Sequence, residues 1–128
     1  MSYNVLIVDD SEIIRAVVKK SIAMSGLSIG ELHEASNGSE ALQKLSSSWI
    51  DIVFTDINMP QMTGIELVEK MAQDEMLAKI PVVIISTERS ETRINDLLQL
   101  GVRAYLKKPF RPEEFRRTVS AILDKPGG

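Results

Sequence analysis

Cysteine is absent from this 128-residue chain. That excludes disulfides, thiol catalysis and thiolate metal sites, and the expected setting is a reducing one, the cytoplasm. Histidine occurs once, at His33, so a multi-histidine metal centre is excluded too. An excess of positive charge is also lacking. The 15 Lys and Arg stand against 18 Asp and Glu, for a formal net charge of −3. Such a balance argues against direct nucleic-acid binding, which draws on nonspecific electrostatic attraction. No apolar run approaches the ~20 residues of a membrane span, so membrane insertion is not expected. Residues 1–10 have no basic segment followed by an apolar one, so a signal peptide is not expected either. Internal repeats and low-complexity tracts are missing as well.

What is present is ordinary for a folded protein: 44% apolar and 26% charged residues. The length suits one domain, taken here as residues 1–128, with enough chain to bury a core without staples. Five short apolar runs recur at 5–8, 29–35, 52–55, 82–85 and 104–106, each followed by a helix-like segment. The first, third and fourth are continuous, the pattern of a strand covered on both faces in a parallel sheet. The second is diluted by Gly30, Glu31 and His33 and suits an edge strand.

Helical period runs through the intervening segments. Ile14, Val17, Val18 and Ile22 share one face after the cap candidates Asp10 and Ser11. Ala41, Leu42 and Leu45 follow Asn37-Gly38, and Ile65, Val68, Met71 and Ala72 follow Gly64. Ile94, Leu97 and Leu98 precede Gly101, a residue suited to the position just past a helix end. Phe115, Val119 and Ile122 follow Pro112, which suits a first helical turn. Five βα units with short links give a doubly wound α/β fold, (βα)5, with a parallel five-stranded sheet and helices on both faces. Residues 124–128 read as a linker stub or a frayed terminus.

In open parallel sheets, ligands bind beyond the carboxyl ends of the strands. Asp9 and Asp10 follow the first run, Asp56 the third, Ser86 and Thr87 the fourth, and Lys107 and Lys108 the fifth. Four strand ends thus bring polar groups to one edge. Any single one is accounted for by a helix cap or a solvated loop; all four together are not. Like charges ~4 Å apart repel by about 4 kcal/mol at an effective dielectric near 20. Three clustered carboxylates therefore ask for a cation, and hard oxygen ligands suit Mg²⁺. A lysine and a hydroxyl beside them suit phosphoryl oxygens. An aspartate beside Mg²⁺ can itself be the nucleophile of phosphoryl transfer.

Residues 5–10 (VLIVDD), Asp56-Ile-Asn-Met-Pro60 with Gly64, Ser86, and Lys108-Pro109-Phe110 together resemble the signature of response-regulator receiver domains, over about residues 4–124. The resemblance implies strand order 2-1-3-4-5, the flavodoxin-like arrangement, which the pattern alone does not give. It implies Asp56 as phosphoacceptor and Mg²⁺ held by Asp9, Asp10, Asp56 and the main-chain carbonyl of Asn58. It implies Ser86 and Lys108 on the phosphoryl group, and Tyr105 as the switch aromatic. Thr87 is a rival hydroxyl and is bulkier than this family prefers there. Tyr105 also reads as simple packing at a strand end. Asn58 and Glu88 resemble the positions that tune self-dephosphorylation. The Lys108-Pro109 peptide is expected to be cis.

The implied partners are a sensor histidine kinase or phosphotransfer protein, and an effector bound through the fourth helix, fifth strand and fifth helix. The output is binding, not turnover of a small molecule. The start at Met1 and the lack of a charged linker favour a stand-alone, chemotaxis-type regulator. The alternative is a receiver domain from a larger regulator with a DNA-binding or enzymatic output domain.

His33 reads as a strand-edge residue and Trp49 as a packing or loop residue; Met59, Met62, Met71 and Met76 read as core filler. Lys107, Lys108, Arg111, Arg116 and Arg117 form a largely solvated basic face beside the expected partner surface. Two enzyme or carrier readings compete. A haloacid-dehalogenase-type phosphatase would carry its nucleophile after the first strand in an Asp-x-Asp-x-Thr pattern, where this chain has Asp9-Asp10-Ser11. A flavodoxin-like electron carrier would need a Ser/Thr/Gly-rich phosphate loop after that strand, and none is there.

Overall fold

A computed structural model describes residues 2–57, 59, 62–87, 91–108 and 110–123. Asn58, Glu88, Pro109 and residues 124–128 lie outside the described residues. So do the roles expected of Asn58 and Glu88, the cis peptide and the tail.

The strands are β1 (Tyr3–Val8), β2 (Ile29–Ala35), β3 (Ile52–Thr55), β4 (Val82–Ser86) and β5 (Ala104–Lys107). The helices are α1 (Glu12–Ser25), α2 (Gly38–Ser47), α3 (Gly64–Ala72), α4 (Glu91–Gln99) and α5 (Pro112–Leu123), with a short 3₁₀ turn at Leu77–Lys79. All strand pairs are parallel, in the order β2-β1-β3-β4-β5. β2 is an edge strand, as its diluted pattern suggests, and its outer side chains include the exposed Glu31 paired with His33.

Side chains alternate across a pleated sheet, so each inner strand feeds two cores. Leu6, Val8, Val53, Val82 and Ile84 pack under α2, α3 and α4, with Ala41, Leu45, Leu67, Val68, Met71 and Leu97. Val5, Ile7, Ile52, Phe54, Val83 and Ile85 pack under α1 and α5, with Val18, Ile22, Phe115 and Val119. Phe54 and Phe115 stack at 5.1 Å between ring centres. Each fully buried Leu, Ile, Val or Phe contributes roughly 1.5–3 kcal/mol. β3 and β4 are buried along their whole length, which is why they read as continuous apolar runs.

Caps fix where the helices begin, and so where the loops at the carboxyl edge end. Ser11, not Asp10, caps α1 by accepting from the Ile14 amide at 3.3 Å. Asn37 caps α2, and Thr63 with Glu66 forms a capping box on α3. The glycine that opens α3 has a steric reason. A Cβ on Gly64 would collide with the Asp56 carbonyl oxygen and come within 2.9 Å of the Ile57 Cα. α3 can therefore start tight against β3, with the Gly64 amide donating to the Ile57 carbonyl at 2.8 Å.

Four apolar residues expected inside are exposed instead. Val17 on α1, Leu98 on α4 and Met76 before the 3₁₀ turn are 51%, 45% and 69% exposed, and Ala72 at the end of α3 is exposed too. Nothing in a helical period penalises an apolar side chain at the margin of the buried stripe, and surfaces carry much apolar area in any case. Trp49 is exposed, its indole N–H donating to Asp51 Oδ1 at 3.0 Å.

Candidate functional site

The site lies at the carboxyl edge, beyond β1, β3 and β5. Pairing of β1 with β3 puts Val8 opposite Thr55, so the next residues on each strand, Asp9 and Asp56, leave the sheet side by side. The Asp56 amide donates to the Val8 carbonyl at 3.0 Å, and the Asp9 amide to the Ala35 carbonyl at 3.0 Å. Oxygen atoms of Asp9, Asp10 and Asp56 all lie within 4.8 Å of one another. Asp9 is buried, Asp56 half-buried and Asp10 exposed, so the cluster opens to solvent on the Asp10 side.

Lys108 closes the other side. Its Nζ is 3.4 Å from Asp9 Oδ2 and 3.7 Å from Asp56 Oδ2. β5 delivers it there, and the Lys108 amide donates to the Ser86 carbonyl at 2.9 Å, which ties the end of β5 to the end of β4. Asp9 Oδ1 accepts from the Ser11 amide at 2.9 Å, and Asp56 Oδ1 from the Ile57 amide at 2.7 Å. Burial pushes the Asp9 carboxyl above the ordinary carboxylate value. The Asp56 charge adds to that push, while the Ser11 amide and Lys108 oppose it.

The donor set is all oxygen. Among the described residues, three carboxylates against the Lys108 ammonium leave an excess negative charge that a divalent cation would offset. Carboxylate oxygens at these separations fit a hard ion such as Mg²⁺, with water completing its shell. A carboxylate set between a divalent cation and the Lys108 ammonium can serve as a phosphoryl acceptor, since those two positive charges would neutralise the incoming oxygens.

The other expected residues are placed as follows. Ser86 is buried at the last position of β4, whereas Thr87, one residue on, is exposed. Thr87 lines a shallow apolar cleft with Ile14, Val17, Lys108 and Phe110. Tyr105 is half-buried on β5, opposite Ile84, and packs against the α2–α3–α4 core. Met59 is buried in the α2–α3–α4 core and Met62 packs over Gly38.

Arg15 is missing from the sequence expectations. Its Nη1 donates to the Asp9 main-chain carbonyl at 2.6 Å and its Nε to Glu34 Oε1 at 2.9 Å. Within the helical period it is only a polar position between Ile14 and the Ala16–Val18 stretch. The one available signal is a charged pair, an arginine on α1 and a glutamate next to the end of β2.

A family model described as the response regulator receiver domain matches residues 5–120. The chain is 34% identical to the chemotaxis protein CheY1 of Helicobacter pylori over 119 residues, covering 92% of this chain and 94% of that one. It is 39% identical to the two-component response regulator ORR11 of Oryza sativa over 121 residues, covering 94% and 80%. The crystal structure of a CheX–CheY–BeF3–Mg²⁺ complex from Borrelia burgdorferi superposes with a TM-score of 0.85 at 30% identity, covering 96% of this chain and 90% of that one.

Proposed function

The chain belongs to the response regulator receiver domain family of two-component signalling, and from that premise we propose that Asp56 accepts a phosphoryl group from a phosphohistidine. The donor is a sensor histidine kinase or a phosphotransfer protein. An Asp56 carboxylate oxygen forms the new O–P bond as the N–P bond of the donor breaks, and the imidazole leaves with the electron pair. The observation that carries this reading is the convergence of three carboxylates, with oxygens within 4.8 Å, on the Lys108 ammonium.

Asp9, Asp10, Asp56 and the Asn58 carbonyl would hold Mg²⁺, which when bound neutralises charge on the transferring oxygens. The relative from Borrelia burgdorferi, whose complex contains Mg²⁺, supports that choice of ion. Lys108 pairs with the transferred group, and Ser86 hydrogen-bonds it. Phosphorylation replaces the single negative charge of the Asp56 carboxylate with the roughly −2 of an acyl phosphate at the strand ends. Ser86 moves toward that charge, and Tyr105 turns inward behind it. The change biases a two-state equilibrium that reshapes the surface of α4, β5 and α5 for an effector.

The protein is thus a switch that assists its own phosphorylation and dephosphorylation, within one domain over residues 1–128, in the cytoplasm. Among the described residues no helix is long and apolar enough to cross a membrane. A stand-alone, chemotaxis-type role is supported by the likeness to CheY1. The likeness to the rice two-component regulator, 80% of whose length is covered, supports a two-component role without specifying a chemotaxis pathway.

Incubation with a small-molecule phosphodonor and Mg²⁺ is expected to add one phosphoryl group by intact-mass spectrometry, and Asp56→Asn to add none. A full mass gain in Asp56→Asn would sink the assignment. Asn58 and Glu88 are proposed to flank the attacking water, with a phosphorylated lifetime of seconds to minutes. Decay after donor removal is expected to change in Asn58→Met or Glu88→Leu. If neither changes it, those residues have no tuning role.

A further inference from the structure

Among the acids of the site, Asp10 is the least supported. Asp9 is held through its amide, its carbonyl and both carboxylate oxygens, by Ala35, Arg15, Ser11 and Lys108 respectively. Asp56 is held by the Val8 carbonyl, the Ile57 amide and Lys108. Asp10 is exposed, and among the described residues no hydrogen bond restrains its carboxylate. Its direction is therefore set by the main chain that leads into it. The Asp9 carbonyl belongs to the planar peptide shared with Asp10, so whatever fixes that oxygen fixes the plane from which Asp10 departs.

Arg15 fixes it. The guanidinium reaches from the first turn of α1 across the end of β1, donating to the Asp9 carbonyl with Nη1 and to Glu34 with Nε. Its side chain is only 15% exposed. Glu34 stands opposite Ile7 in the β1–β2 register, one residue before the Ala35 carbonyl that takes the Asp9 amide. The second Glu34 oxygen accepts from Lys19 Nζ at 3.1 Å, one turn further along α1. The rigid fork of an arginine can serve two acceptors at a fixed angle, which the point charge of a lysine cannot.

We propose that Arg15, locked by Glu34, is a positioning residue for the cation-holding acids: it sets the Asp9–Asp10 peptide and so aims Asp10 at the ion. This rests on the reading of the site as an Mg²⁺-dependent phosphoacceptor. Sign separates it from a plain charge effect. On charge alone, removing a cation beside a cation site would tighten Mg²⁺ binding. On positioning, removing it loosens Mg²⁺ binding.

The test is calorimetric titration of the unphosphorylated protein with Mg²⁺, beside its melting temperature, in wild type, Arg15→Ala, Arg15→Lys and Glu34→Gln. Losing a group that orients a metal ligand costs about tenfold or more in metal affinity. A weakening of that order is expected in Arg15→Ala, and a similar one in Arg15→Lys, which keeps the charge but not the fork. Glu34→Gln keeps an acceptor for Nε and is expected to lose less. In an Asp10→Ala background, Arg15→Lys should cost little more, because the group it aims is gone. Should Arg15→Ala fail to fold, Arg15→Lys decides. Mg²⁺ affinity that is unchanged or tighter in the folded Arg15 variants, even with a lower melting temperature, overturns the proposal and leaves Arg15 a structural staple. If the wild type itself binds no Mg²⁺, the phosphoacceptor reading fails first and this one falls with it.

Discussion

The two ends of the sheet solve opposite problems. At the amino edge, Asp51 accepts from the Asn4 amide at 2.8 Å and from the Trp49 indole at 3.0 Å. The Asn4 side chain donates to the Trp49 carbonyl at 2.9 Å and accepts from the Glu31 amide at 2.9 Å. One carboxylate and one amide thereby staple β1, β2 and the approach to β3, and the carboxylate has two donors of its own. At the carboxyl edge three carboxylates share one ammonium. The first edge is satisfied within the chain; the second is left electrostatically incomplete, and the proposed ion and phosphoryl group would complete it. Similar residue types serve stability at one end and chemistry at the other, and the difference lies in whether donors match acceptors.

The comparison breaks most sharply on function. Asp56→Asn is expected to lose all phosphoryl gain by mass, whereas Asp51→Ala keeps it in full. A partial loss in Asp51→Ala would mean that the two edges are coupled. Stability should run the other way. Asp51→Ala removes the partner of two donors and is expected to cost about 1–3 kcal/mol in urea unfolding. Gly64→Ala forces a Cβ against the Asp56 carbonyl and the Ile57 Cα and should cost about 1–3 kcal/mol, a backbone penalty unrelated to charge. Asp10→Ala instead relieves like-charge repulsion and is expected to stabilise the metal-free protein by about 1 kcal/mol while weakening Mg²⁺. Equal destabilisation by Asp10→Ala and Asp51→Ala would erase the distinction.

The smallest effect is in the pH dependence of the metal-free melting temperature. Asp9 has its carboxyl raised by burial, so the folded state holds that proton more tightly than the unfolded chain. Its contribution makes stability fall as pH rises from the ordinary value near 3.8 through the raised one, and Asp9→Asn should remove that fall. For Glu34, burial opposes the shift, but hydrogen bonds and charge from Lys19 and Arg15 outweigh it and lower the carboxyl. That contribution is present above the ordinary value of 4.5 and is lost as pH falls through the lowered one, so Glu34→Gln should flatten the acid limb. Identical acid limbs in wild type and both variants would refute both assignments.

These contrasts were unevenly visible in the amino-acid sequence. β3 and β4 were legible because burial on both faces forbids polar interruption. β2 was legible despite Gly30, Glu31 and His33, because an edge strand meets solvent on its open side. Asp9, Asp10, Asp56 and Lys108 were legible because a parallel sheet sends whatever follows its strands to one edge. Exposure of Val17 and Leu98 was not, since a helical stripe has no sharp margin. Arg15 was not, because its importance comes from a main-chain carbonyl, a partner every residue possesses. The Asp51 staple was hidden for the same reason: two of its four hydrogen bonds involve backbone amides.

Lys108 lies 99 positions from the Asp9 carboxylate that it faces. A chain leaves the ribosome amino end first, so β1, β3 and their three acids are made well before the residue that offsets them. Until β5 docks, the wholly buried β4 stands as an unpaired edge and the three acids lack the ammonium that offsets them. A single event, the arrival of residues 104–108 beside β4, pairs that strand, supplies Lys108 and leaves the partly exposed β5 as the edge. Folding of this protein is thereby drawn toward all-or-none completion, and the segment that completes it is the one proposed to carry the switch surface.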